Sequence, residues 1–264
     1  MIKAEVHSRS EATEVRVGQR GLPGVLVRPA PANAIVVFAH GSGSGRHSPR
    51  NRFVADVLHA HGLATLLFDL LDEAEAADRR NVFDIDLLGA RVVDALDWLA
   101  GQDDTAGLRV GLFGASTGAA AALRAAAERP GRVGAIVSRG GRPDLAGATL
   151  AAVHAPTLLI VGGDDAEVLR LNRSALSALG CSKRLEIVPG ASHLFEEPGT
   201  LDAAAHLAGA WFATHLDPWA TACGAASKAA TPITAFPAIS MRPRPRAGTA
   251  ICAGTTIWAA SWRD

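Results

Sequence analysis

The stretch VGLFGASTGAAAALRAAAERP, residues 110–130, decides the fold. Its opening, with Arg109 in front, is as apolar as a strand buried on both faces, and its second half is an alanine-rich helix that Pro130 must end. Between the two, Gly114 and Gly118 bracket Ser116 in a Gly-x-Ser-x-Gly match. Glycines are wanted wherever a strand turns sharply into a helix and the backbone passes close to its neighbours. Ser116 can therefore be a nucleophile or merely a small residue in a tight turn. In a chain with 27 glycines the pentapeptide alone does not decide, so the rest of the chain must supply partners.

Outward from this stretch, strands and helices alternate. Upstream, AIVVFAHG (residues 34–41) is a continuous β-branched run that stops at a glycine-rich loop. Phe53, Val54, Val57, Leu58 and His61 then recur at helical spacing, and LATLLFD (63–69) is a second buried strand. Two β-like runs at 14–17 and 24–27, joined by a Gly-Leu-Pro-Gly turn, form an antiparallel lead-in. Asp84 precedes an amphipathic helix with Ile85, Leu88, Val92, Ala95, Leu96 and Leu99 on one stripe, and Gly101 lies just past its end. Downstream come strand VGAIVS (133–138), strand TLLIVGG (157–163), helix AEVLRLNRSALSAL, strand RLEIVPG (184–190) and a last helix at 201–216. This order predicts an α/β fold, a doubly wound and mostly parallel sheet flanked by helices.

At 264 residues the chain holds one large domain, expected at residues 1–216, and an appendage at 217–264. The appendage is rich in Ala, Thr, Pro and Arg, its RPRPR run (242–246) cannot be helical, and it carries Trp219, Trp258 and Trp262. Lys plus Arg and Asp plus Glu are 26 each, so no global field recruits nucleic acid or an anionic membrane. Three widely spaced cysteines, Cys181, Cys223 and Cys252, fit a reducing compartment and no structural zinc; no metal or other cofactor is expected. The N-terminal residues lack the apolar run of a secretion signal, and no segment is long enough to span a bilayer, which together predict a cytoplasmic protein. A homodimer is compatible with these features.

In an open parallel sheet, ligands bind beyond the carboxyl ends of the strands. There the chain offers Ser116, then Asp164 and Asp165, then His193 in GASHLFEEPG, each after a separate strand. Ser, Asp, His is the chain order of an acyl-transfer triad on such a sheet. The chemistry needs these types: a hydroxyl is a poor nucleophile unless an imidazole takes its proton, and the imidazole needs a carboxylate to fix its tautomer and stabilise its cation. The oxyanion that develops needs fixed donors, expected from the backbone N–H groups of Thr117, after the nucleophile, and Ser42, after the first central strand. Neighbouring side chains point opposite ways, so only one of Asp164 and Asp165 faces His193. His40 is read as support for the loop backbone and Asp69 as a partner of nearby turns.

GASTG, HGSGSGRHSPRN, LIVGGDDAEV and GASHLFEE together resemble the α/β-hydrolase fold, and specifically bacterial members of the dienelactone hydrolase family, over residues 21–216. In that family's pattern the acid stands as Gly-x-x-Asp-x-x-Val, which matches residues 162–168 and selects Asp165. The namesake enzymes use a cysteine nucleophile where position 116 is serine, so the resemblance implies a general esterase rather than the namesake's own lactone hydrolysis. Between Ser138 and Thr157 there is no room for a cap domain.

The expected function is a cofactor-independent serine hydrolase acting on esters or lactones of small molecules through an acyl-enzyme. The rival readings are a non-catalytic α/β-hydrolase-like binding module and, more remotely, a peptidase. Arginines cluster at the same carboxyl edge: Arg46 and His47, with Arg50 and Arg52, in the loop after the first central strand, and Arg139 and Arg142 in SRGGRPD. A guanidinium grips a carboxylate through two parallel hydrogen bonds, so Arg46, His47, Arg139 and Arg142 are expected to bind an anionic group on the substrate. Against this, Arg50 or Arg52 can simply pair with Asp56.

Overall fold

In the computed structural model, residues 12–217 are described. The antiparallel lead-in is β1 (Ala12–Val17) and β2 (Leu22–Val27), followed by the buried strand β3 (Ala34–Ala39), helix α1 (Pro49–Ala60) and strand β4 (Ala64–Phe68). Two four-residue helices, α2 (Glu73–Ala76) and α3 (Arg79–Val82), lead into the long helix α4 (Ile85–Ala100). The Gly-x-Ser-x-Gly segment is strand β5 (Arg109–Ala115) and helix α5 (Thr117–Glu128). Strand β6 (Val133–Arg139), a 3-10 segment (Pro143–Ala152), strand β7 (Thr157–Gly162), helix α6 (Ala166–Ala178), strand β8 (Lys183–Val188) and helix α7 (Thr200–Leu216) complete it.

The eight strands form one sheet in the order β1-β2-β4-β3-β5-β6-β7-β8, parallel from β4 to β8. This is the doubly wound α/β-hydrolase arrangement expected, and no separate cap domain interrupts it. Side chains alternate between two cores, as the twofold period of a strand requires. Leu112 points to the side covered by α4, α5 and α6, and Phe113 to the side covered by α1 and α7, where it meets Phe38 at a ring-centroid distance of 4.8 Å. Removing a fully buried Leu or Phe such as Leu112 or Phe212 from water contributes about 1.5–3 kcal/mol each. Ala119 through Ala122, with Ala125 and Ala126, are all buried, so α5 lies close against the sheet.

Where boundaries depart from the sequence pattern, capping explains it. Helix α1 starts before its apolar stripe because Ser48 accepts from Asn51 N, and Phe53, on that stripe, is left 40% exposed. Asp72, Asp78 and Asp84 cap α2, α3 and α4 in succession; four-residue helices are too short to display a period. Strand β6 runs one residue past its apolar run, so that Arg139 pairs with Ala115 in the ladder instead of standing in the loop. Among the described residues, strands β1 and β8 are the edges of the sheet. Among the described residues no helix is long and apolar enough to cross a membrane. The appendage expected at 217–264, with its three tryptophans, lies outside the described residues except for Asp217.

Candidate active site

At the end of β5 the chain turns into α5 through Ser116, whose φ of 50° is one of two positive values among described non-glycine residues. A residue in this region stores strain of about 1–3 kcal/mol, tolerated because the surroundings leave no alternative. The flanking glycines make the turn possible. A Cβ on Gly114 would stand 2.4 Å from Ala119 Cα, and one on Gly118 2.0 Å from Ala39 O. Ser116 is half-buried at the carboxyl edge of the sheet, at the head of α5.

Asp165 follows β7 and His193 follows β8. His193 Nδ1 donates to Asp165 Oδ2 at 2.7 Å, with the carboxylate largely buried and the imidazole partly open. The other oxygen, Asp165 Oδ1, accepts from Val168 N at 3.3 Å and caps α6, which accounts for the three-residue spacing between the acid and Val168. Asp164 is exposed and makes its own backbone hydrogen bond, N to Ala191 O at 3.0 Å. The histidine loop is braced by Glu197, which accepts from Ser192 N at 3.0 Å; that N–H holds its carboxyl below the ordinary value. Glu197 was not singled out in the sequence, although its place four residues after His193 was the available signal.

The elbow and the histidine loop meet at the segment after β6. Arg142 N donates to Ser116 O at 2.9 Å, and a Cβ on Gly140 would lie 2.9 Å from His193 O. Ser116 Oγ makes no hydrogen bond to His193 here; such contacts commonly tighten only when substrate is bound.

On the other side of the elbow runs the loop after β3. A Cβ on Gly41 would lie 2.9 Å from Ser116 Cβ, so the backbone leading into Ser42 passes directly beside the serine. Ser42 and Thr117 both line a cavity of about 850 Å³, together with His40, Arg46 and Asp69; Ser116 and His193 are not in its lining. His40 fixes the loop as the sequence suggested: its Nδ1 donates to Gly41 O at 2.9 Å and its Nε2 accepts from Leu70 N at 3.0 Å. Burial pushes the His40 imidazole below its ordinary 6.5, against the opposing pull of the Gly41 carbonyl. Asp69 completes the support, accepting from Arg46 N at 2.7 Å and pairing with the Arg46 guanidinium.

The four residues expected to bind an anion therefore differ. Arg46 is held by Asp69, and Arg142 by Asp144 through Nε at 2.9 Å and Nη2 at 2.8 Å. His47 is exposed, in the wall of a second cavity with Arg46 and Arg52. Arg139 is buried and has no carboxylate partner among the described residues. Arg50 pairs with Glu196 at 3.5 Å, and Asp56 faces His59 instead. Among the described residues no group of three or more His, Cys, Asp or Glu side chains is placed to hold a metal ion.

Comparison with known proteins fits this geometry. A protein of Mycobacterium tuberculosis named "Putative phosphoribosyl transferase" is 58% identical over 208 residues, covering 79% of this chain and 47% of its own length. The chain thus spans about half the length of the curated relatives it matches. The crystal structure of a dienelactone hydrolase from Anabaena variabilis is 58% identical, with a TM-score of 0.76 over 79% of this chain and 99% of the other. A carboxyl esterase from Tuber melanosporum shares the fold at 16% identity, with a TM-score of 0.63 over 81% of this chain and 89% of its own. The sequence pattern of the dienelactone hydrolase family matches residues 22–215, and the chain belongs to that family.

Proposed function

We propose that this family member is a serine hydrolase cleaving carboxylic esters or lactones of small molecules through an acyl-enzyme. The observation that carries the reading is the 2.7 Å Asp165–His193 hydrogen bond at the edge of the sheet where Ser116 occupies a strained elbow. The hydrolase names of the Anabaena and Tuber proteins support ester chemistry. The transferase name belongs to a longer protein, only 47% of which is matched, and is not carried over.

In this reading Ser116 Oγ attacks the carbonyl carbon while its proton passes to His193 Nε2, and Asp165 stabilises the resulting imidazolium. The Ser42 and Thr117 N–H groups receive the oxyanion, the second at the positive end of α5, where it costs no reorganisation. Collapse breaks the bond to the alcohol oxygen, which takes the proton from His193. Water then repeats the sequence on the acyl-serine and restores Ser116. A fluorophosphonate probe tests this: it labels the wild type and not Ser116→Ala. Labelling that survives in Ser116→Ala, or a wild type inert to probe and esters alike, overturns the reading.

A further inference from the structure

The cavity of about 850 Å³ beside the elbow has both expected oxyanion donors, Ser42 and Thr117, in its lining, but neither Ser116 nor His193. That division matters for an ester. Its carbonyl carbon carries an oxygen that turns to the donors, an alcohol that must lie near His193 to receive its proton, and an acyl group that points away from the histidine. The space on the donor side is this cavity, and its volume falls inside the roughly 300–1,000 Å³ usual for small-molecule sites.

The lining indicates which acyl groups it suits. Leu22, Leu70, Leu71, Val82 and Leu88 give it an apolar surface. Its three arginines are matched within the chain: Arg16 donates to Gly21 O at 3.4 Å, Arg20 pairs with Asp72 at 3.5 Å, and Arg46 pairs with Asp69. Among the described residues no cation of the lining is left over for a carboxylate. An uncharged and largely apolar group loses least on entering.

One wall is the α2–α3 segment, which contributes Glu73, Ala74, Ala76 and Val82. No residue of either helix is buried, so apolar packing does not hold them in place. A single carboxylate does. Glu75 Oε1 accepts from Arg91 Nη2 of α4 at 2.8 Å and lies 3.1 Å from Arg20 Nη2 of the β1–β2 turn, while Oε2 accepts from Asp72 N at 3.3 Å. The Glu75 carbonyl accepts from Asn81 Nδ2 at 3.0 Å and so ties α2 to α3. The Arg91 and Glu75 side chains are only 10% and 17% exposed, so this pair is screened far less than a surface one.

We propose that the cavity receives the acyl part of an uncharged ester, and that Glu75, hooked between Arg20 and Arg91, positions α2 as the wall that sets the acyl length accepted. The inference rests on the hydrolase reading above. Glu75 is a positioning residue: it acts through Ala74 and Ala76, the lining residues on either side of it.

The test uses the full chain and two sets of uncharged esters, p-nitrophenyl esters of straight acyl chains from acetyl to dodecanoyl and acetyl esters of alcohols of increasing size. In the wild type kcat/KM passes through an optimum as the acyl chain lengthens. Ala76→Trp fills space at the wall and lowers the octanoyl-to-acetyl ratio of kcat/KM by about tenfold or more. Glu75→Gln frees the wall and raises the dodecanoyl-to-octanoyl ratio by about tenfold. Arg91→Met does the same, and Arg91→Lys, which keeps the charge, retains the wild-type ratio. A general loss of stability does not move the two ratios in opposite directions. The alcohol series keeps its wild-type order in every variant. In parallel, hexanamide, uncharged and not an ester, raises Tm in the wild type and not in Ala76→Trp. An acyl profile unchanged in Ala76→Trp or in Glu75→Gln, or a change confined to the alcohol series, overturns the proposal. If the wild type cleaves no ester, the hydrolase reading fails, and the hexanamide-dependent Tm alone decides whether the cavity takes an acyl group.

Discussion

Asp165 divides its carboxylate between two tasks: Oδ2 accepts from His193 Nδ1 at 2.7 Å while Oδ1 caps α6 at Val168 N. Asparagine is as good a cap as aspartate but carries no charge for the imidazolium. Asp165→Asn should therefore fold with nearly unchanged Tm and lose about 10³–10⁴ in kcat. Asp164→Asn, on the exposed neighbour, should alter neither. Ester kinetics and calorimetry on the pair check this; equal losses in both would show that the wrong acid has been assigned.

Ser116 at a φ of 50° holds strain that glycine does not feel. Ser116→Gly should abolish turnover and stabilise the fold by about 1 kcal/mol, a rise in Tm of roughly 2–4 °C. Ser116→Ala removes the same hydroxyl but keeps a Cβ, so it should be equally inactive without the gain. Scanning calorimetry separates the two.

Gly118→Ala puts a methyl group 2.0 Å from the Ala39 carbonyl oxygen, where neither backbone can retreat. A destabilisation on the order of 3 kcal/mol or more is expected from such overpacking. Gly107→Ala, with nothing within 4 Å of the new Cβ, should stay within about 0.5 kcal/mol of wild type. Urea midpoints for the two variants give the comparison.

His40 is buried in its neutral form, with Nε2 needed as acceptor for Leu70 N. Its folded pKa lies below the ordinary 6.5. The unfolded chain therefore binds the proton first, and stability present above pH 6.5 is lost as pH falls toward the folded value. His59, also lowered by burial, acts in the same direction. Tm should fall below pH 6.5, less steeply in His40→Gln than in wild type. An identical slope in both proteins would discount the histidine.

Asp69 ties down the loop that carries Ser42, through Arg46 N and the Arg46 side chain. Asp69→Ala should lower kcat about tenfold with little change in KM, by loosening an oxyanion donor rather than a substrate contact. Arg46→Ala should reduce turnover of neutral and anionic esters alike, since its guanidinium is already taken.

The parts of the site that lie on one segment are legible in the sequence alone. GASTG announces a turn only glycines permit, and the spacing of Gly162, Asp165 and Val168 records a helix cap. His193 followed from chain order. What stayed hidden depends on pairings between segments. Nothing in SRGGRPD distinguishes Arg139, sealed under Phe195, from Arg142, neutralised two residues on by Asp144. Whether the first central strand's arginine meets Asp69 or a substrate depends on how β3 and β4 lie side by side, and no periodicity encodes that. Helices α2 and α3 escaped for the simpler reason that single turns show no repeat.

An open sheet leaves two rims of unmatched amides and carbonyls, each a template on which another chain's strand could add. Here both are written in charge. Strand β1 carries Glu14 and Arg16, and β8 carries Lys183, Arg184 and Glu186, with Ile187 its one prominently bare apolar side chain. An incoming strand must strip water from those ions before it can zip onto the ladder. The same residues that contribute nothing to either core thus guard the rims of a fold whose interior is aliphatic and phenylalanine-rich.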